Sequence, residues 1–321
     1  MTFTPRSILV GRCFGIGNAV ISIPLFASLR ASFPSARIDA LVGSSPDDVG
    51  AAAILRAFSG GTVIDNVHEE HAWTVDHRRF FYDDAIMSIP YDGRWREGYH
   101  FSAQQVVDGR PRPSGSVGLE SWKQHESLYQ LEAVDLIGGR VVVDPFNACR
   151  FVWARSDRQE LHDRRVFLGV GYKRDVAGFW AKKNWGLERF QEFVRRVLDD
   201  DPDVLVVSTG NGDDVRDFLG PIARSLSSNV RHRFRFKLCD VDGMIDEMRR
   251  CSVYVGHDTG TMHVAAACGM WVVGMFFISN SDVKSRPLTY RRDLFIETDA
   301  AALSVDRVVA TTLKRLKEIA R

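Results

Sequence analysis

The residues with the clearest chemical use lie in one short run, Gly256–Gly269, between two apolar stretches. The stretches 252–255 and 271–276 predict two buried strands, and the small residues between them predict a short helix. Asp258-Thr259-Gly260 then lies where a strand passes into a helix N-terminus. Free backbone N–H groups and the positive end of the helix dipole favour an anion at such a place. We therefore expect a site for a charged ligand, and a diphosphate fits it best.

A plainer interpretation of this run stays open. Asp258 or Thr259 caps the helix, and His263 is a core histidine whose hydrogen bonds are satisfied within the protein. The spacing alone favours the anion site and the simple cap about equally.

A second candidate is the glycine turn Gly15-Ile16-Gly17, which follows an apolar strand and opens a helical pattern. A dinucleotide fingerprint of the GxGxxG type needs glycine at position 20, where the chain has Val20, so a nicotinamide-dependent oxidoreductase is disfavoured. A tight turn that lets an acceptor or a phosphate approach the backbone is the better interpretation. A plain strand-to-helix turn has comparable weight.

Three further segments are polar but give weaker signals. The run 182–186 places Lys183 on a loop from which it can reach an anion, although loop lysines are usually only solvated. His68 and His71 are three residues apart, but no third ligand accompanies them, so we expect a polar surface and no metal site. The basic and aromatic residues of 231–237 predict a strand with one exposed basic face, and a nucleic-acid patch is the remote alternative.

Strands that alternate with helices must position these residues. In the first half, the patterns predict strands over 7–10, 37–42, 62–67 and 85–89, helices over 51–58 and 120–137, and a helix through Phe33 that is kinked or begins at Pro24. The segment 91–118 is rich in Gly, Pro and Arg, and it predicts an irregular region. In the second half, the patterns predict strands over 166–170, 204–207, 234–238, 252–255 and 271–276, and helices over 187–198, 213–226, 244–250 and 305–319.

These alternations predict an α/β fold with two Rossmann-like, doubly wound domains that face a central cleft. The polar segment 140–164 sets the boundary, so the expected domains are residues 1–150 and 151–300. A final helix within 301–321 can pack back on the first domain. Ligands of such sheets bind at the carboxyl ends of strands, so we expect both glycine-containing turns to line the cleft.

Composition bounds the class of protein. The 42 Lys+Arg residues nearly balance the 41 Asp+Glu residues, which disfavours a nucleic-acid partner. The five cysteines have no CxxC spacing and fit a reducing cytosol. We expect no signal peptide, and the longest apolar stretch is far below the ~20 residues of a membrane span. The expected location is therefore cytoplasmic, with at most peripheral contact at the inner face of the membrane.

On these residues the chain resembles the heptosyltransferase family, glycosyltransferase family 9, which has the two-domain GT-B fold. Gly256–Gly269 is similar to the family's Asp-(Ser/Thr)-Gly-x-x-His-x-Ala-Ala-x-x-Gly turn and helix. Lys183-Asn184-Trp185 resembles its Lys-x-Trp element. Gly15–Asn18, Pro24 and Phe33-Pro34 resemble its N-terminal Gly-x-Gly-Asp, Pro and aromatic-Pro series. The resemblance runs in order over nearly the whole chain.

The resemblance implies an enzyme that transfers a heptose from ADP-heptose to a lipopolysaccharide core, with inversion, without a bound metal and without another cofactor. The residues that it places on the donor diphosphate and sugar are Asp258, Thr259, Gly260 and His263. Lys183 would offset phosphate charge, and Asp213 or Asp214 would lie near the donor nucleoside. Gly15, Gly17 and Asn18 would face the acceptor, and the expected catalytic residues are Asn18, Lys183 and Asp258.

One departure from the family pattern concerns the base. The chain has Asn18 where the family usually has an aspartate, and an amide cannot usefully accept a proton near neutral pH. Three interpretations of this departure stay open. First, Asn18 orients the acceptor and the base is another residue, for which Asp92, His100 and Glu120 are candidates. Second, the acceptor needs no strong base. Third, the protein binds the donor but transfers its sugar poorly.

The expected partners are a nucleotide-sugar donor and a glycan, lipid-linked or small-molecule acceptor. Two alternatives remain open beside a heptosyltransferase. One is a glycosyltransferase that uses another sugar on a soluble natural product or protein. The other is a catalytically weak protein that binds sugar nucleotides.

Overall fold

The computed structural model of the chain describes residues 5–13, 15–43, 50–69, 81–87, 102–108, 124–148, 164–171 and 180–320. The chain forms two compact units. The first comprises Met1–Cys149 and Val283–Leu288, and the second comprises Arg150–Asp282 and Thr289–Arg321. Each unit has its own parallel sheet, so the expected α/β class with two doubly wound sheets is confirmed.

The first unit is built on five parallel strands. They are β1 (Ser7–Cys13), β2 (Arg37–Val42), β3 (Asn66–Glu69), β4 (Phe81–Met87) and β5 (Ser102–Asp108), in the order β3-β2-β1-β4-β5. The helices are α1 (Gly15–Ile21), α2 (Ile23–Ser32), α3 (Ala51–Ser59), α4 (Glu126–Leu136) and α5 (Pro145–Ala148). The sheet order reverses between β1 and β4, because β2 and β3 lie on one side of β1 and the later strands lie on the other.

The helical pattern through Phe33 is two helices that meet at Ser22. Pro24 lies in the first turn of α2, where its missing N–H leaves no hydrogen bond unmade. The Ser22 hydroxyl donates to the main-chain carbonyl of Asn18 at 2.9 Å and closes the junction. Of the two possibilities expected at Pro24, a kink or a helix start, the structure has a helix start, which lies at Ile23.

Two predictions for the first unit were wrong. The strand predicted over 62–67 begins only at Asn66, because Gly60 and Gly61 adopt positive φ angles and form a turn. The segment predicted to be irregular contains β5, which pairs with β4 along its length. Polar residues such as Gln105 interrupt the apolar pattern that would predict a strand. The strand depends instead on its pairing with β4, which is non-local, so the sequence pattern did not predict it.

The segment Val283–Leu288 reaches the first unit through polar contacts with α4 and its N-cap. His125 Nε2 donates to the main-chain carbonyl of Arg286 at 2.9 Å, and Lys284 Nζ lies 3.8 Å from the buried carboxylate of Glu126. The Arg286 guanidinium lies over the ring of Phe146, 5.0 Å from its centroid. The first unit is therefore completed by residues that come late in the sequence.

The second unit has six parallel strands. They are β6 (Arg165–Gly169), β7 (Leu205–Gly210), β8 (Phe234–Leu238), β9 (Val253–His257), β10 (Trp271–Phe276) and β11 (Arg292–Ile296), in the order β11-β10-β9-β6-β7-β8. The helices are α6 (Leu187–Asp200), α7 (Gly212–Asp214), α8 (Gly220–Ser225), α9 (Ser228–Arg231), α10 (Val241–Met248), α11 (Gly260–Ala267) and α13 (Val305–Ile319), and α12 (Ser281–Ser285) begins in this unit and ends in the first. Two 3-10 turns, Trp180–Lys183 and Ala300–Ala302, and a π turn, Val215–Leu219, complete it.

The final helix is part of the second unit. α13 packs on α6, β9 and β10, all in the second unit. Its residues Val308, Val309 and Leu316 are buried in the core of that unit, so burial of this apolar face fixes its place. This helix therefore belongs to the second unit, and packing back on the first domain stays a prediction.

Other predicted elements of the second unit differ at their ends. The helix predicted over 244–250 begins at Val241, because the Asp240 carboxylate accepts the N–H of Gly243 and caps it earlier. The helix predicted over 213–226 is interrupted by the π turn. β11 and α12 were not predicted.

The order of the second sheet reverses between β6 and β9. The chain runs from β6 outward through β7 and β8, then crosses to β9 and continues outward through β10 and β11. This reversal is the topological switch point at which doubly wound sheets bind ligands. In the described part of the chain, no helix combines the length and apolar character that a membrane span requires.

Candidate functional site

The switch point of the second sheet brings two loops together. β6 ends at Gly169 and leads to Gly171, whereas β9 ends at His257 and is followed directly by Asp258. The two strands are parallel neighbours that pair Gly169 with Gly256. The loops after β6 and β9 therefore emerge side by side, and the run predicted to bind an anion is one of them.

The first turn of α11 offers backbone amides at this edge. Thr259 is the N-cap residue, but its side chain makes no capping hydrogen bond, and its hydroxyl lies 2.9 Å from that of Thr261. Within the described ranges, the amides of Thr259, Gly260 and Thr261 have no hydrogen-bond acceptor. These amides belong to partly buried residues, and together with the helix dipole they form the positive end of α11, which suits an anion.

Lys183 adds a cation next to these amides. Its ammonium donates to the main-chain carbonyl of Asp258 at 2.7 Å and to the Oδ2 atom of the same residue at 2.8 Å. Only 12% of the Lys183 side chain and 5% of the Asp258 side chain are exposed. Since the Asp258 carboxylate holds Lys183, the geometry differs from the simple helix cap of the plainer interpretation. The pair fixes an ammonium beside the N-terminus of α11.

Trp185 anchors the loop that presents Lys183. Its ring is fully buried, packs edge-to-face on Phe190 with centroids 5.3 Å apart, and donates through Nε1 to the carbonyl of Leu303 at 3.1 Å. Gly186 follows as the N-cap residue of α6. Its φ of 103° is a backbone conformation that residues with a side chain rarely adopt. Because Trp185 is fixed in the core and Lys183 lies two residues before it, the Lys-x-Trp spacing holds the lysine at the site.

His257 joins the lysine loop to the end of β9. It is fully buried, and its Nε2 atom accepts the backbone N–H of Trp185 at 2.9 Å. Burial lowers the pKa of His257 to about 4, and the Lys183 charge also lowers it, whereas the Gly171 backbone and Asp258 raise it. The imidazole is therefore neutral near pH 7, as its acceptor role requires.

Tyr254 supports the turn from inside the sheet. Its hydroxyl lies 3.0 Å from the Thr261 hydroxyl and 3.4 Å from the carbonyl of His257. A Cβ atom added to Gly169 or Gly256 would lie 2.2 or 2.6 Å from the Tyr254 hydroxyl oxygen, so both positions need glycine. Burial raises the pKa of Tyr254 to about 12, and the phenol stays protonated. Glycines on adjacent strands thus make room for a side chain that holds α11.

The two aspartates after β7 have different surroundings. Asp214 forms a capping box with Asn211, and a Cβ atom added to Gly171 would lie 3.5 Å from its Oδ2 atom. Asp213 is exposed and pairs with Arg216 at 2.7 Å. The fold therefore brings Asp214 to the loop after β6, next to the switch point, and turns Asp213 toward Arg216.

His263 is buried in the middle of α11, and 3% of its surface is exposed. It lies in the second turn of the helix, after the amides at the N-terminus. A role on the donor sugar stays a prediction for this residue.

The residues predicted in the first unit lie at the switch point of that sheet. Gly15 has a φ of 68° and opens α1, which also contains Gly17 and Asn18, directly after β1. The Asn18 carbonyl accepts the N–H of Ser22 at 3.0 Å. The three alternative bases, Asp92, His100 and Glu120, lie outside the described residues.

The weaker signals have structural explanations. His68 lies on β3, 3.6 Å from the buried carboxylate of Asp39, and His71 lies outside the described ranges. No group of three or more His, Cys, Asp or Glu residues in the described part of the chain is arranged to hold a metal ion. On β8, Arg235 and Lys237 are exposed and Phe234 is buried, so the predicted strand with one basic face is confirmed.

Three residues that shape the site were not predicted from the sequence. His257 and Thr261 belong to the run that was singled out, and Tyr254 precedes it, yet none was given a role. A signal existed for His257, since a histidine as the last residue of a buried strand lies beside the loops of the switch point. Tyr254 gave no such signal, because its position depends on Gly169 in another strand, β6.

A comparison with known families decides what kind of domain carries this site. The model of glycosyltransferase family 9 (heptosyltransferase) matches residues 174–308. These residues form a family 9 glycosyltransferase domain. The match contains Lys183, Asp258 and all of α11, so the site described above lies within the glycosyltransferase domain.

Solved structures with the same fold cover nearly the whole chain. The E. coli ADP-heptose lipopolysaccharide heptosyltransferase II is 17% identical with a TM-score of 0.67, over 97% of this chain and 99% of that one. The E. coli heptosyltransferase WaaC with ADP is 12% identical with a TM-score of 0.71, over 96% and 99%. A family 9 glycosyl transferase from Veillonella parvula is 12% identical with a TM-score of 0.70, over 99% of both chains. The fold is therefore GT-B. No curated protein matches the sequence.

Proposed function

We propose that this glycosyltransferase is metal-independent and inverting, and that it takes its sugar from a nucleotide-diphospho-sugar. ADP-heptose is the leading donor, and the acceptor is a lipopolysaccharide core or another glycan, lipid-linked or small molecule. The observation that carries the proposal is the nearly buried Lys183–Asp258 pair beside the amides of α11.

A diphosphate suits these groups because its oxygens need several donors at once. The amides of Thr259, Gly260 and Thr261 supply directional hydrogen bonds, and Lys183 supplies a full positive charge. Asp258 orients Lys183 through the pair described above. In this proposal Asp214, near the loop after β6, contacts the nucleoside, and His263 contacts the sugar.

The proposed reaction is a single displacement at the anomeric carbon. The acceptor atom forms a bond to that carbon while the bond to the diphosphate oxygen breaks, and the electron pair leaves with the nucleoside diphosphate. Negative charge grows on the leaving group, where the α11 amides and Lys183 stabilise it. Such donors take the place of a divalent ion in this proposal.

ADP leads among the nucleotides because of two structures with the same fold. One is described as an ADP-heptose lipopolysaccharide heptosyltransferase, and the other was solved with ADP. The resemblance of the Asp258 run to the heptosyltransferase motif supports the same donor. A lipid-linked acceptor would bring a cytoplasmic enzyme to the inner face of the membrane, and fractionation of cells checks that location.

On the acceptor side, we propose that Gly15, Gly17 and Asn18 approach the acceptor at the end of β1. Asn18 orients the attacking group by hydrogen bonds, because its amide cannot accept the proton. The proton then passes to another carboxylate or histidine, for which Asp92, His100 and Glu120 are the candidates.

The test begins with donor binding. Thermal unfolding is measured with ADP, UDP and GDP and with their sugar conjugates, since a ligand that binds only the folded state raises the melting temperature. We expect ADP and ADP-heptose to give the largest shifts, and Lys183→Ala to remove them. Equal shifts for Lys183→Ala and the wild type would contradict the donor site.

Turnover is then measured with the best donor and candidate acceptors, with and without EDTA. Transfer with inverted configuration that persists in EDTA supports the proposal. Transfer that stops in EDTA and returns with magnesium would contradict metal independence.

The second candidate function is a protein that binds sugar nucleotides and transfers the sugar poorly. The observation that favours it is Asn18, which stands where the family usually has a proton acceptor. Donor binding without hydrolysis or transfer, over a broad set of acceptors, distinguishes it from the enzyme.

A further inference from the structure

We propose that His257 is a positioning residue of the donor site, because its imidazole holds the lysine loop in register with the Asp258 turn. Lys183 and the α11 amides then act on the same diphosphate. This inference rests on the proposed function, since it concerns how the donor site is held together.

The connection is short on both sides. On one side, His257 is joined covalently to Asp258 as the last residue of β9. On the other side, its Nε2 atom accepts the backbone N–H of Trp185 at 2.9 Å, two residues after Lys183. The Lys183 ammonium then meets Asp258 at 2.7 and 2.8 Å. One side chain thus closes a small ring of contacts that contains the cation and the turn.

The imidazole has little freedom to move within this ring. It is fully buried and packs edge-to-face on Phe190, with centroids 5.1 Å apart and an angle of 70° between planes. The Trp185 ring packs on the same phenylalanine. The acceptor atom and the amide that it accepts are therefore both fixed against one core residue.

The protonation state agrees with this role. A neutral imidazole has a ring-nitrogen lone pair that can accept the Trp185 amide N–H. A charged imidazole has two N–H donors and no such lone pair. Burial and Lys183 both lower the pKa of His257, and the facing charges are Lys183 and Asp258. The acceptor state is therefore kept throughout the neutral range.

Three substitutions test whether the Nε2 acceptor matters. In His257→Gln the side-chain oxygen can reach the place of Nε2, whereas in His257→Asn it reaches only the place of Nδ1. His257→Leu has a similar volume and no acceptor. We expect the affinity for ADP, measured by calorimetry, to fall about tenfold or more in Asn and Leu and to stay within about threefold of wild type in Gln.

A double-mutant cycle tests whether His257 acts through the lysine loop. Lys183→Met removes the cation, and we expect it to weaken ADP binding strongly. If His257 positions Lys183, then His257→Asn weakens ADP binding in the wild-type background and has little further effect in the Lys183→Met background. A residue that only stabilised the fold would leave ADP affinity unchanged once the protein is folded.

The outcomes separate this inference from the proposed function. If Lys183→Met binds ADP like the wild type, the donor site itself is misplaced. If Lys183→Met loses affinity but folded His257→Asn does not, or if the two effects add, the role of His257 is wrong and the donor site stands. Circular dichroism and unfolding without ligand verify the fold of each variant, and the contrast between Asn and Gln suffices if His257→Leu does not fold.

Discussion

The turn after β9 and the turn after β1 each lie at the switch point of their own sheet, since each follows one of the two strands between which the order reverses. The first is held by Lys183 and Trp185, which come from more than seventy residues earlier, and by Tyr254 on the strand that leads into it. In the second, the main-chain carbonyl of Asn18 accepts the N–H and the hydroxyl of Ser22, four residues later. One turn is fixed by tertiary contacts and the other by local backbone geometry.

The difference teaches what each turn can tolerate. A turn that places a nearly buried ion pair against helix amides depends on the identity of several side chains. A turn that depends on the φ of 68° at Gly15 leaves the neighbouring side chain free to vary without loss of the fold. Asn18, which departs from the family pattern, stands on the turn where such a change costs least.

The largest effect should come from the carboxylate of the β9 turn. Asp258→Ala leaves Lys183 without the group that orients it, so we expect kcat/KM to fall about 100-fold, or ~2.7 kcal/mol. The free energy of unfolding should fall less than that. Equal donor affinity in a folded mutant, measured by calorimetry, would show that this turn does not bind the donor.

The next effect tests the support beneath the same turn. Gly169→Ala places a methyl group against the Tyr254 hydroxyl, so we expect unfolding to become easier by about 2 kcal/mol through overpacking. Gly212→Ala is the matched control, because a Cβ atom added to Gly212 meets nothing within 4 Å. Chemical denaturation of both variants measures the difference, and equal stabilities would show that Tyr254 is not tightly held.

A smaller effect is expected at the β1 turn. Asn18→Asp supplies a carboxylate that can accept a proton, so we expect kcat on a hydroxyl acceptor to rise about tenfold. Stability and donor affinity should stay as in the wild type, because the contacts of this turn are local. Steady-state kinetics with the true acceptor check this, with Asn18→Ala as control, and unchanged kinetics would remove Asn18 from the mechanism.

The smallest effect is the pH dependence that His257 gives to stability. Its pKa is about 4 in the folded protein and lies below the ordinary value of 6.5, so the unfolded chain takes up a proton that the folded chain does not. The stabilising contribution is complete above pH 6.5 and is lost as the pH falls toward 4. We expect the wild type to lose about 1 kcal/mol more than His257→Gln between pH 6 and pH 5. Parallel pH profiles for the two proteins would contradict a buried neutral imidazole.

The sequence predicted those parts of the fold whose signals are local and periodic. Of the predicted apolar positions of α6, Leu187 is partly buried, and the others are buried: Phe190, Phe193, Val194, Val197 and Leu198. The strands at 37–42, 234–238 and 271–276 have the predicted bounds. In such elements the period of apolar residues reports directly which face meets the core.

The sequence did not predict features that depend on partners far along the chain. β5 is a strand through its pairing with β4, and the burial of α13 depends on helices and strands of the second unit. Within the site, the turn at Asp258 followed from strand, small residues and helix in sequence. The role of Tyr254 did not, because it depends on the register that pairs Gly169 with Gly256.

The return of Val283–Leu288 to the first unit has a consequence for domain exchange among relatives. Neither unit is one continuous stretch of chain, so a single crossover near residue 150 would transplant an incomplete unit. A chimera cut there would pair His125 and Glu126 of one parent with the Lys284 and Arg286 positions of another. Hybrids that also exchange this six-residue segment should retain the native partners of α4 and express better than those that do not.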